Sequence, residues 1–167
     1  MKRILMALWL GLTSCVGVPE GLTVVENFDV ARYTGRWYEI VRLDHAFERG
    51  LSQVYAEYTA NPNGSIKVVN HGFNAAKNRW QQAEGIAKFV GQRDRGELKV
   101  SFFGPFYGAY NIIALDPDYQ WSLVAGPDRS YLWLLARTPT VPAETRQRLL
   151  KRAEALGFSL DNLQEGQ

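Results

Sequence analysis

The sequence has one cysteine and two histidines among its 167 residues. A single cysteine excludes an internal disulfide framework and every Cys-x-x-Cys metal or redox motif, and two histidines leave few ligands for zinc. Clustered charge is also missing, because 19 basic and 17 acidic residues are spread along the chain and leave a net charge of +2. Nucleic-acid binding requires a clustered basic surface, so we expect no nucleic-acid partner.

Residues 1–15 have the pattern of an export signal. Lys2 and Arg3 precede a nine-residue apolar run, Ile4–Leu12, which at ~1.5 Å per residue is too short to span a ~30 Å hydrocarbon core. Leu12-Thr13-Ser14-Cys15 then resembles the bacterial lipoprotein signal, in which an aliphatic residue and two small residues precede a thiol that is acylated. An ordinary secretory signal that contains a cysteine is the alternative. The pattern predicts a lipoprotein signal peptide at residues 1–14, an acylated Cys15 and tether at residues 15–21, and one domain at residues 22–167.

An acylated Cys15 would place the protein on a membrane. One acyl chain binds a membrane only marginally, whereas the three chains expected from the resemblance to bacterial lipoproteins give stable anchoring. Val16, not Asp, follows Cys15. In lipoproteins sorted as in enterobacteria, this residue points to the outer membrane of a Gram-negative bacterium.

Segments with a two-residue apolar period follow, separated by turn residues such as Asn61-Pro62-Asn63-Gly64. They predict eight strands at Gly35–Leu43, Ser52–Ala60, Ser65–Phe73, Trp80–Val90, Glu97–Phe103, Ala109–Leu115, Trp121–Ala125 and Tyr131–Arg137. The short links between them exclude parallel βαβ units, which need crossover helices. We therefore predict an all-β fold, an eight-stranded antiparallel up-and-down barrel. A two-sheet sandwich with Greek-key links is the alternative.

One α-helix is predicted after the strands, between Pro142 and Gly157, because these residues favour a helix start and a helix end. Its leucines lie on one face, so we expect it to pack outside the barrel. Its basic residues form either a solvated face or a contact with an anionic membrane surface. A short final strand is expected between Phe158 and Leu163.

Three short motifs resemble the signatures of the lipocalin family. Gly35-Arg36-Trp37 looks like the Gly-x-Trp signature of the first strand, and Asp118-Tyr119 looks like the second, with Pro117 in place of the usual threonine. Arg137 matches the third, and longer stretches are similar to bacterial outer-membrane lipocalins. The resemblance covers Leu22 to the C-terminus. It implies a barrel that is closed at one end and holds a small apolar ligand.

The residues expected to build the closed end of such a barrel are Gly35, Trp37 and Arg137. The Trp37 indole is a wide plug, and the Arg137 guanidinium can lie over it in a cation–π contact while donating hydrogen bonds to nearby carbonyls. We therefore expect these residues to have a structural role rather than to contact a ligand.

Every second residue of a strand points inward, so counting from Trp37 predicts the cavity lining. The predicted ligand-binding residues are Glu39, Val54, Ala56, Tyr58, Phe89, Val100, Phe102, Tyr110, Ile112, Trp121, Tyr131 and Trp133. The same alternation places Val41, Ala114, Leu123 and Ala125 inside the barrel and Arg42 outside. The predicted lining is apolar and aromatic with gaps at alanines, which suits an elongated apolar ligand.

Glu39 is the exception in this lining, because a buried carboxylate costs several kcal/mol unless it is paired, hydrated or protonated. Two interpretations stay open. Glu39 is either hydrogen-bonded through water near the barrel base, or it is a polar contact for a ligand and a barrier to fatty-acid carboxylates. Tyr110 and Tyr131 can offer hydroxyl groups to an ester or a phosphate.

The sequence offers little for catalysis. His45 and Asp44 are adjacent, and neighbouring residues of an extended segment point apart, so they form no dyad; a Gly-x-Ser-x-Gly elbow is missing. We predict that the protein is not an enzyme and binds no cofactor.

The resemblance implies a lipid-anchored outer-membrane protein that binds fatty-acyl lipids such as lysophospholipids, for storage or transport at the cell envelope under stress. A structural envelope lipoprotein with a filled, non-binding barrel is the alternative. Some similar bacterial lipocalins dimerise, so a homodimer is compatible with either function.

Overall fold

The computed structural model describes residues 16–167. The predicted signal peptide and Cys15 lie outside these residues. In chain order, the elements are α1 (Val30–Tyr33), β1 (Gly35–Leu43), β2 (Leu51–Ala60), β3 (Ile66–Asn74), β4 (Arg79–Phe89), β5 (Glu97–Phe103), β6 (Phe106–Leu115), β7 (Trp121–Ala125), β8 (Leu132–Ala136), α2 (Ala143–Ala155) and β9 (Leu163–Glu165). Neither helix of this described part is long and apolar enough to cross a membrane.

The strands close into a barrel. Each strand from β1 to β8 pairs antiparallel with the next strand in the sequence, and β8 pairs in turn with β1. Sequential pairing all the way round confirms the predicted up-and-down barrel and excludes the Greek-key sandwich, in which one strand returns beside a distant one. The final strand, β9, pairs with the second half of β1. It occupies Leu163–Glu165 rather than the predicted segment between Phe158 and Leu163.

The up-and-down order gives the barrel two different ends. The β1–β2, β3–β4, β5–β6 and β7–β8 connections lie at one end, which we call the open end. The other connections and α1 lie at the opposite end, which we call the closed end. Asp29 caps α1, because its carboxylate accepts a hydrogen bond from the Ala31 backbone N–H (2.9 Å).

Trp37 and Arg137 are in contact at the closed end. Trp37 is fully buried, its indole N–H donates to the Tyr33 carbonyl (2.8 Å), and the Arg137 guanidinium carbon lies 3.9 Å from the centre of its ring. The guanidinium also donates to the backbone carbonyls of Arg32, Thr34, Arg36 and Tyr119. Gly35 has a φ of +94°, which a side chain would strain, and a Cβ there would lie 3.4 Å from Arg137 Nη1. These contacts tie α1, β1 and the β6–β7 connection together.

The helix α2 packs on the outside of the barrel, as its apolar face predicts. Leu149 and Ala153 are fully buried and belong to a cluster, the outer core, that also contains Leu123 and Leu134 from the barrel wall. The Arg148 guanidinium lies 5.4 Å from the centre of the Trp121 ring. Part of the basic face of the helix therefore contacts the barrel.

Residues 17–28 make hydrogen bonds to β6 and to the connections beside it. Asn111 Nδ2 of β6 donates to the Gly17 carbonyl (2.8 Å) and to the Gly126 carbonyl of the β7–β8 connection (3.2 Å). At the closed end, the Phe28 N–H donates to the Asp94 carbonyl (2.8 Å). Within the described chain, the segment predicted as a tether is held against the barrel from residue 17 onward.

Candidate functional site

The barrel contains a cavity that extends from Trp37 toward the open end. Its volume is about 120 Å³. Apolar and aromatic groups line most of the wall, and polar groups lie at two levels. The lining residues are Tyr33, Trp37, Glu39, Glu48, Val54, Tyr55, Ala56, Tyr58, Ile66, Val68, Asn70, Ala87, Leu98, Val100, Phe102, Ala109, Tyr110, Trp133 and Leu135.

Three tyrosines form a hydroxyl network at the level next to Trp37. The hydroxyl oxygens of Tyr33 and Tyr110 are 2.9 Å apart, those of Tyr58 and Tyr110 are 3.0 Å apart, and Tyr33 lies 2.9 Å from Ser122 Oγ. Burial raises the pKa of Tyr33 to about 12, and it raises the pKa values of Tyr58 and Tyr110 above their ordinary range. All three phenols are therefore neutral near pH 7. Together with Ser122, the three tyrosines supply four hydroxyl hydrogens, and three of these are used in the three hydrogen bonds. One hydroxyl group therefore keeps a free donor.

An ionic cluster formed by Glu39, Arg42, His45 and Glu48 lies nearer the open end. Arg42 Nη1 donates to Glu39 Oε1 (2.7 Å), and Arg42 Nη2 donates to the Glu48 backbone carbonyl (2.9 Å). Glu48 Oε2 accepts a hydrogen bond from the Trp133 indole N–H (3.1 Å). The same oxygen lies 2.9 Å from His45 Nε2. Glu39 is 2% exposed and Arg42 is 3% exposed, so this pair is almost completely removed from water.

The two carboxyl groups of the ionic cluster are perturbed in opposite directions. Burial, followed by the nearby Glu48 charge, raises the pKa of Glu39 well above its ordinary value, although Arg42 opposes both effects. Burial also acts on Glu48, but there the contacts with His45, Trp133 and Arg42 outweigh it and lower the pKa. Glu48 is therefore the carboxylate that carries charge toward the cavity, and Glu39 is the one that protonates first.

A β-bulge explains why Glu39 has a charged partner. The pairing of β1 with β8 shifts between Glu39 and Val41, and a bulge places an extra residue in one strand. Strict alternation puts Val41 inside and Arg42 outside, and both predictions are wrong. Val41 lies in the outer core with α2, and Arg42 contacts Glu39 inside the barrel. Glu39 is therefore paired directly and not through water.

The structure places eight of the twelve predicted ligand-binding residues on the cavity wall. They are Glu39, Val54, Ala56, Tyr58, Val100, Phe102, Tyr110 and Trp133. A second apolar cluster, which surrounds Trp37 inside the barrel and which we call the inner core, contains Ile112, and Phe89 packs against it; neither residue lines the cavity. Phe89 packs near Phe28 of the closed end, with 6.1 Å between ring centres, and Ile112 is fully buried in the cluster that contains Trp37.

The remaining two predicted residues, Trp121 and Tyr131, lie outside the cavity. The pairing of β6 with β7 shifts between Ile112 and Ala114, so alternation carried along β6 fails at β7. Ser122 and Val124 face inward. The outer core contains Leu123 and Ala125 of β7 and Ala114 of β6, and Trp121 packs against it. Tyr131 precedes β8, where its ring stacks on Trp133 with 6.1 Å between the centres.

Strand alternation misses Tyr33 and Glu48, which also line the cavity. Tyr33 belongs to α1, and Glu48 belongs to the β1–β2 connection. A two-residue period carries no information about a helix or about a connection that folds back into a barrel. The sequence signal for α1 is Asp29, a residue type that favours the N-cap position.

Within residues 16–167, no group of three or more His, Cys, Asp or Glu side chains is arranged to hold a metal ion. The cavity instead offers apolar walls, a neutral hydroxyl network and an ionic cluster. Such a lining can hold the apolar part of a ligand and contact a polar part at either level.

The family comparison agrees with this architecture. The profile of the family described as a Lipocalin-like domain matches residues 28–167. The chain belongs to the lipocalin family. This lipocalin is 55% identical over 142 residues to the outer membrane lipoprotein Blc of Escherichia coli K12, in an alignment that covers 85% of this chain and 80% of that protein. It is 47% identical over 153 residues to the outer membrane lipoprotein Blc of Vibrio cholerae, which covers 91% of this chain and 90% of that protein.

The lipocalin also has the fold of insecticyanin from the tobacco hornworm Manduca sexta. The TM-score is 0.71, and the alignment covers 91% of this chain and 87% of insecticyanin. Sequence identity is 17%, so this likeness concerns the fold alone. The resemblance indicated by the three sequence signatures is confirmed.

Proposed function

We propose that this lipocalin is an outer-membrane lipoprotein of a Gram-negative bacterium that binds fatty-acyl lipids, such as lysophospholipids, in its barrel cavity. Two relatives that are named outer membrane lipoproteins support the location, and so does Leu12-Thr13-Ser14-Cys15. The proposal keeps the division of the chain into a signal peptide at residues 1–14, an acylated Cys15 and adjoining segment at residues 15–21, and a lipocalin domain at residues 22–167.

The observation that carries the proposal is the small, mostly apolar cavity. Its volume of about 120 Å³ is below the ~300–1,000 Å³ typical of pockets for drug-sized molecules. A cavity of this volume favours a slender ligand segment, such as part of a single acyl chain, over a broad ring system. Each methylene group that leaves water for an apolar wall contributes ~0.8 kcal/mol to binding.

The charge of Glu48 favours a lysophospholipid over a free fatty acid. A fatty acid carries its carboxylate directly on the acyl chain, so drawing the chain into the barrel brings two negative charges together at Glu48. In a lysophospholipid, a glycerol unit separates the acyl chain from the phosphate. Its charged group can therefore stay in water while the acyl chain occupies the cavity.

We infer that the protein stores or carries such lipids at the cell envelope. Binding alone suffices for this role, and we assign the protein no catalytic step and no cofactor. The apolar wall would hold the acyl chain, and the ionic cluster would select the head group.

The proposal is tested with a variant that fills the cavity. Ala87 lines the cavity, and a phenyl group at this position takes space that an acyl chain needs. Ala155 is exposed at the end of α2, so Ala155→Phe adds the same side chain away from the cavity. Lipids are extracted from the purified mature protein and identified by mass spectrometry. The delipidated protein is then titrated with lysophosphatidylethanolamine, with intrinsic tryptophan fluorescence, to which Trp133 of the cavity wall contributes, as the signal.

We expect the wild-type protein and Ala155→Phe to release lipid and to rebind it, and we expect Ala87→Phe to lose most of its affinity while its circular dichroism spectrum is unchanged. A wild-type protein that releases no lipid and gives no fluorescence change would contradict the proposal and favour the structural envelope role. Sedimentation velocity of the same samples measures whether the protein is a homodimer.

A further inference from the structure

One hydroxyl hydrogen of the hydroxyl network has no acceptor in the described chain. The four hydroxyl groups form a row, from Ser122 through Tyr33 and Tyr110 to Tyr58, with one hydrogen bond between each pair of neighbours. Each hydroxyl group supplies one hydrogen, so the three bonds leave one hydrogen over. Its location determines what the cavity offers to a ligand at this level.

The burial of Ser122 assigns the remaining hydrogen to the cavity. Ser122 is fully buried, does not line the cavity, and has no side-chain hydrogen-bond partner other than Tyr33 among residues 16–167. A hydrogen left over on Ser122 would be a buried donor without an acceptor, which is unfavourable. Ser122 therefore donates to Tyr33. The remaining hydrogen belongs to Tyr33, Tyr58 or Tyr110, all of which line the cavity.

The rings that carry these hydroxyl groups are packed against one another. The Tyr33 ring lies 4.7 Å from the Trp37 ring and stacks on the Tyr58 ring at 5.7 Å. The Tyr58 ring meets the Tyr110 ring edge-on at 6.2 Å. Tyr33 is 4% exposed and Tyr58 is 9% exposed. A donor on a side chain that is already ordered loses little entropy when it binds a ligand, so the network is preorganised.

An unsubstituted acyl chain cannot use this donor. In the proposed complex, the chain enters from the open end, and its last carbon atoms approach the hydroxyl network. A terminal methyl group has no lone pair, so it would cover the donor without accepting its hydrogen. A chain that carries an oxygen atom near its end supplies the missing acceptor.

The surroundings of the hydroxyl network disfavour a charged oxygen. Burial is the main cause that raises the pKa of Tyr58, and the Glu48 charge acts in the same direction. At Tyr33, burial outweighs the hydrogen bonds and the Arg137 charge, which oppose it, and raises the pKa to about 12. A carboxylate drawn to this level would be subject to the same burial and the same Glu48 charge. A neutral oxygen avoids both costs.

We propose that the hydroxyl network is a subsite for an uncharged oxygen atom, such as that of a hydroxyl or ketone group, near the inserted end of an acyl chain. This inference rests on the proposed binding of acyl chains in the cavity and adds a preference among them. The ligand oxygen accepts the free hydrogen, and a ligand hydroxyl group can also donate to a tyrosine oxygen. The preferred ligands are therefore acyl lipids that are oxygenated near the chain end.

The test compares lysophosphatidylethanolamines whose acyl chains end in a methyl, a hydroxymethyl or a carboxylate group, over a series of chain lengths. The delipidated wild-type protein is titrated with each lipid and followed by intrinsic tryptophan fluorescence. At the chain length that reaches the network, we expect the hydroxyl-ended lipid to bind about tenfold more tightly than the methyl-ended lipid, the equivalent of ~1.4 kcal/mol. Equal or weaker binding of the hydroxyl-ended lipid at every length would overturn the proposal, and so would tightest binding of the carboxylate-ended lipid.

A variant without the hydroxyl network shows whether the network causes the preference. The combined changes Tyr33→Phe, Tyr58→Phe, Tyr110→Phe and Ser122→Ala remove all four hydroxyl groups together, so none is left buried without its partner. Tyr119→Phe is the matched control, because Tyr119 is buried but does not line the cavity. We expect the preference to disappear in the combined variant and to persist in the control. A preference that both proteins keep, or that both lose, would overturn the assignment to the network.

A lysophosphatidylethanolamine whose chain ends in a nitrile tests the subsite in the wild-type protein alone. The nitrile stretching vibration absorbs where proteins do not, and its frequency changes when the nitrogen accepts a hydrogen bond. We expect the bound nitrile to show the hydrogen-bonded frequency. The frequency of a nitrile in alkane would overturn the proposal, even where the combined variant does not fold.

Failure of the proposed function gives a different result. In that case the methyl-ended lipid does not bind at any chain length, and the purified wild-type protein releases no lipid on extraction. Binding of the methyl-ended lipid without a preference for the hydroxyl-ended lipid contradicts the subsite alone and leaves the proposed function intact.

Discussion

The Glu39 carboxylate and the Arg42 guanidinium meet at 2.7 Å inside the barrel, although the two residues are three positions apart on one strand. In a regular strand such positions face opposite sides. The shift of register between Glu39 and Val41 brings both side chains inward. The bulge in β1 therefore determines the charge of the cavity as well as the shape of the wall.

Replacing Arg42 should cost more stability than replacing Glu39. Arg42→Met leaves the carboxyl groups of Glu39 and Glu48 buried without their guanidinium, and breaking a buried pair in this way costs about 3–5 kcal/mol. Glu39→Gln keeps an acceptor for Arg42 and leaves Glu48 as its counter-ion, so we expect a loss of about 1–3 kcal/mol. Urea unfolding of both variants measures which loss of stability is larger, and equal losses would contradict the prediction.

The raised pKa of Glu39 gives stability a pH dependence of definite sign. Folded Glu39 binds its proton more tightly than it does in the unfolded chain, where its pKa is near 4.5. Its contribution to the free energy of unfolding is fully present below that pH and is lost as the pH rises through the folded-state pKa. We therefore expect wild-type protein to lose stability relative to Glu39→Gln as the pH rises from the unfolded-state pKa through the raised folded-state pKa. Unfolding curves at several pH values check this, and a difference that stays constant would refute it.

The contact between Trp37 and Arg137 should dominate the stability of the closed end. Trp37→Ala removes a fully buried side chain, and we expect a loss of about 3–5 kcal/mol. Arg137→Met loses the cation–π contact and the hydrogen bonds to α1, and we expect about 1–3 kcal/mol. Trp80→Ala is the matched control, since Trp80 is half exposed at the other end. Urea midpoints that are the same for all three variants would show that the contact between Trp37 and Arg137 contributes no more to stability than a half-exposed side chain does.

Glu48 rather than Glu39 should discriminate against fatty acids, because Glu48 has the lowered pKa. Glu48→Gln keeps an acceptor for the Trp133 N–H and removes the charge. We expect it to improve palmitate binding about fivefold relative to a lysophospholipid of the same chain length, the equivalent of ~1 kcal/mol of screened repulsion. Titrations followed by intrinsic tryptophan fluorescence measure both affinities. Glu39→Gln is the control, and a larger change there than in Glu48→Gln would reverse the assignment.

Cys15→Ala should block acylation and leave an uncleaved precursor, because the peptidase that processes lipoproteins requires the modified thiol. Mass spectrometry and fractionation of the two cell membranes give the result. Normal processing of the variant, followed by its recovery in the outer membrane, would show that Cys15 is not the anchor.

Local sequence signals sufficed for the strands but not for the direction of every side chain. The bounds of β1, β5 and β7 agree with those predicted, because alternation and turn residues act within a few positions. One bulge reverses Val41 and Arg42, and a second shift of register reverses Leu123 and its neighbours. A bulge depends on pairing with a distant strand, so no local pattern reveals it.

The cavity wall was predictable where it is built by regular strands. Val54, Ala56 and Tyr58 follow strict alternation along β2 and line the cavity. Tyr33 and Glu48 reach the cavity from α1 and from a connection, and their positions depend on how the ends of the barrel fold back over it. The ionic cluster therefore could be assembled only from the structure.

Barrel closure also bears on how the chain folds. β1 pairs with β8, and Tyr38 meets Ala136 almost a hundred positions later in the sequence. Contacts between such distant residues carry a large loop-closure entropy, and barrels of this kind fold in roughly milliseconds to seconds. Until β1 meets β8, both strands expose unpaired backbone groups that can pair with other chains. The time between synthesis of the chain and pairing of β1 with β8 is therefore the period in which these two strand edges can drive aggregation.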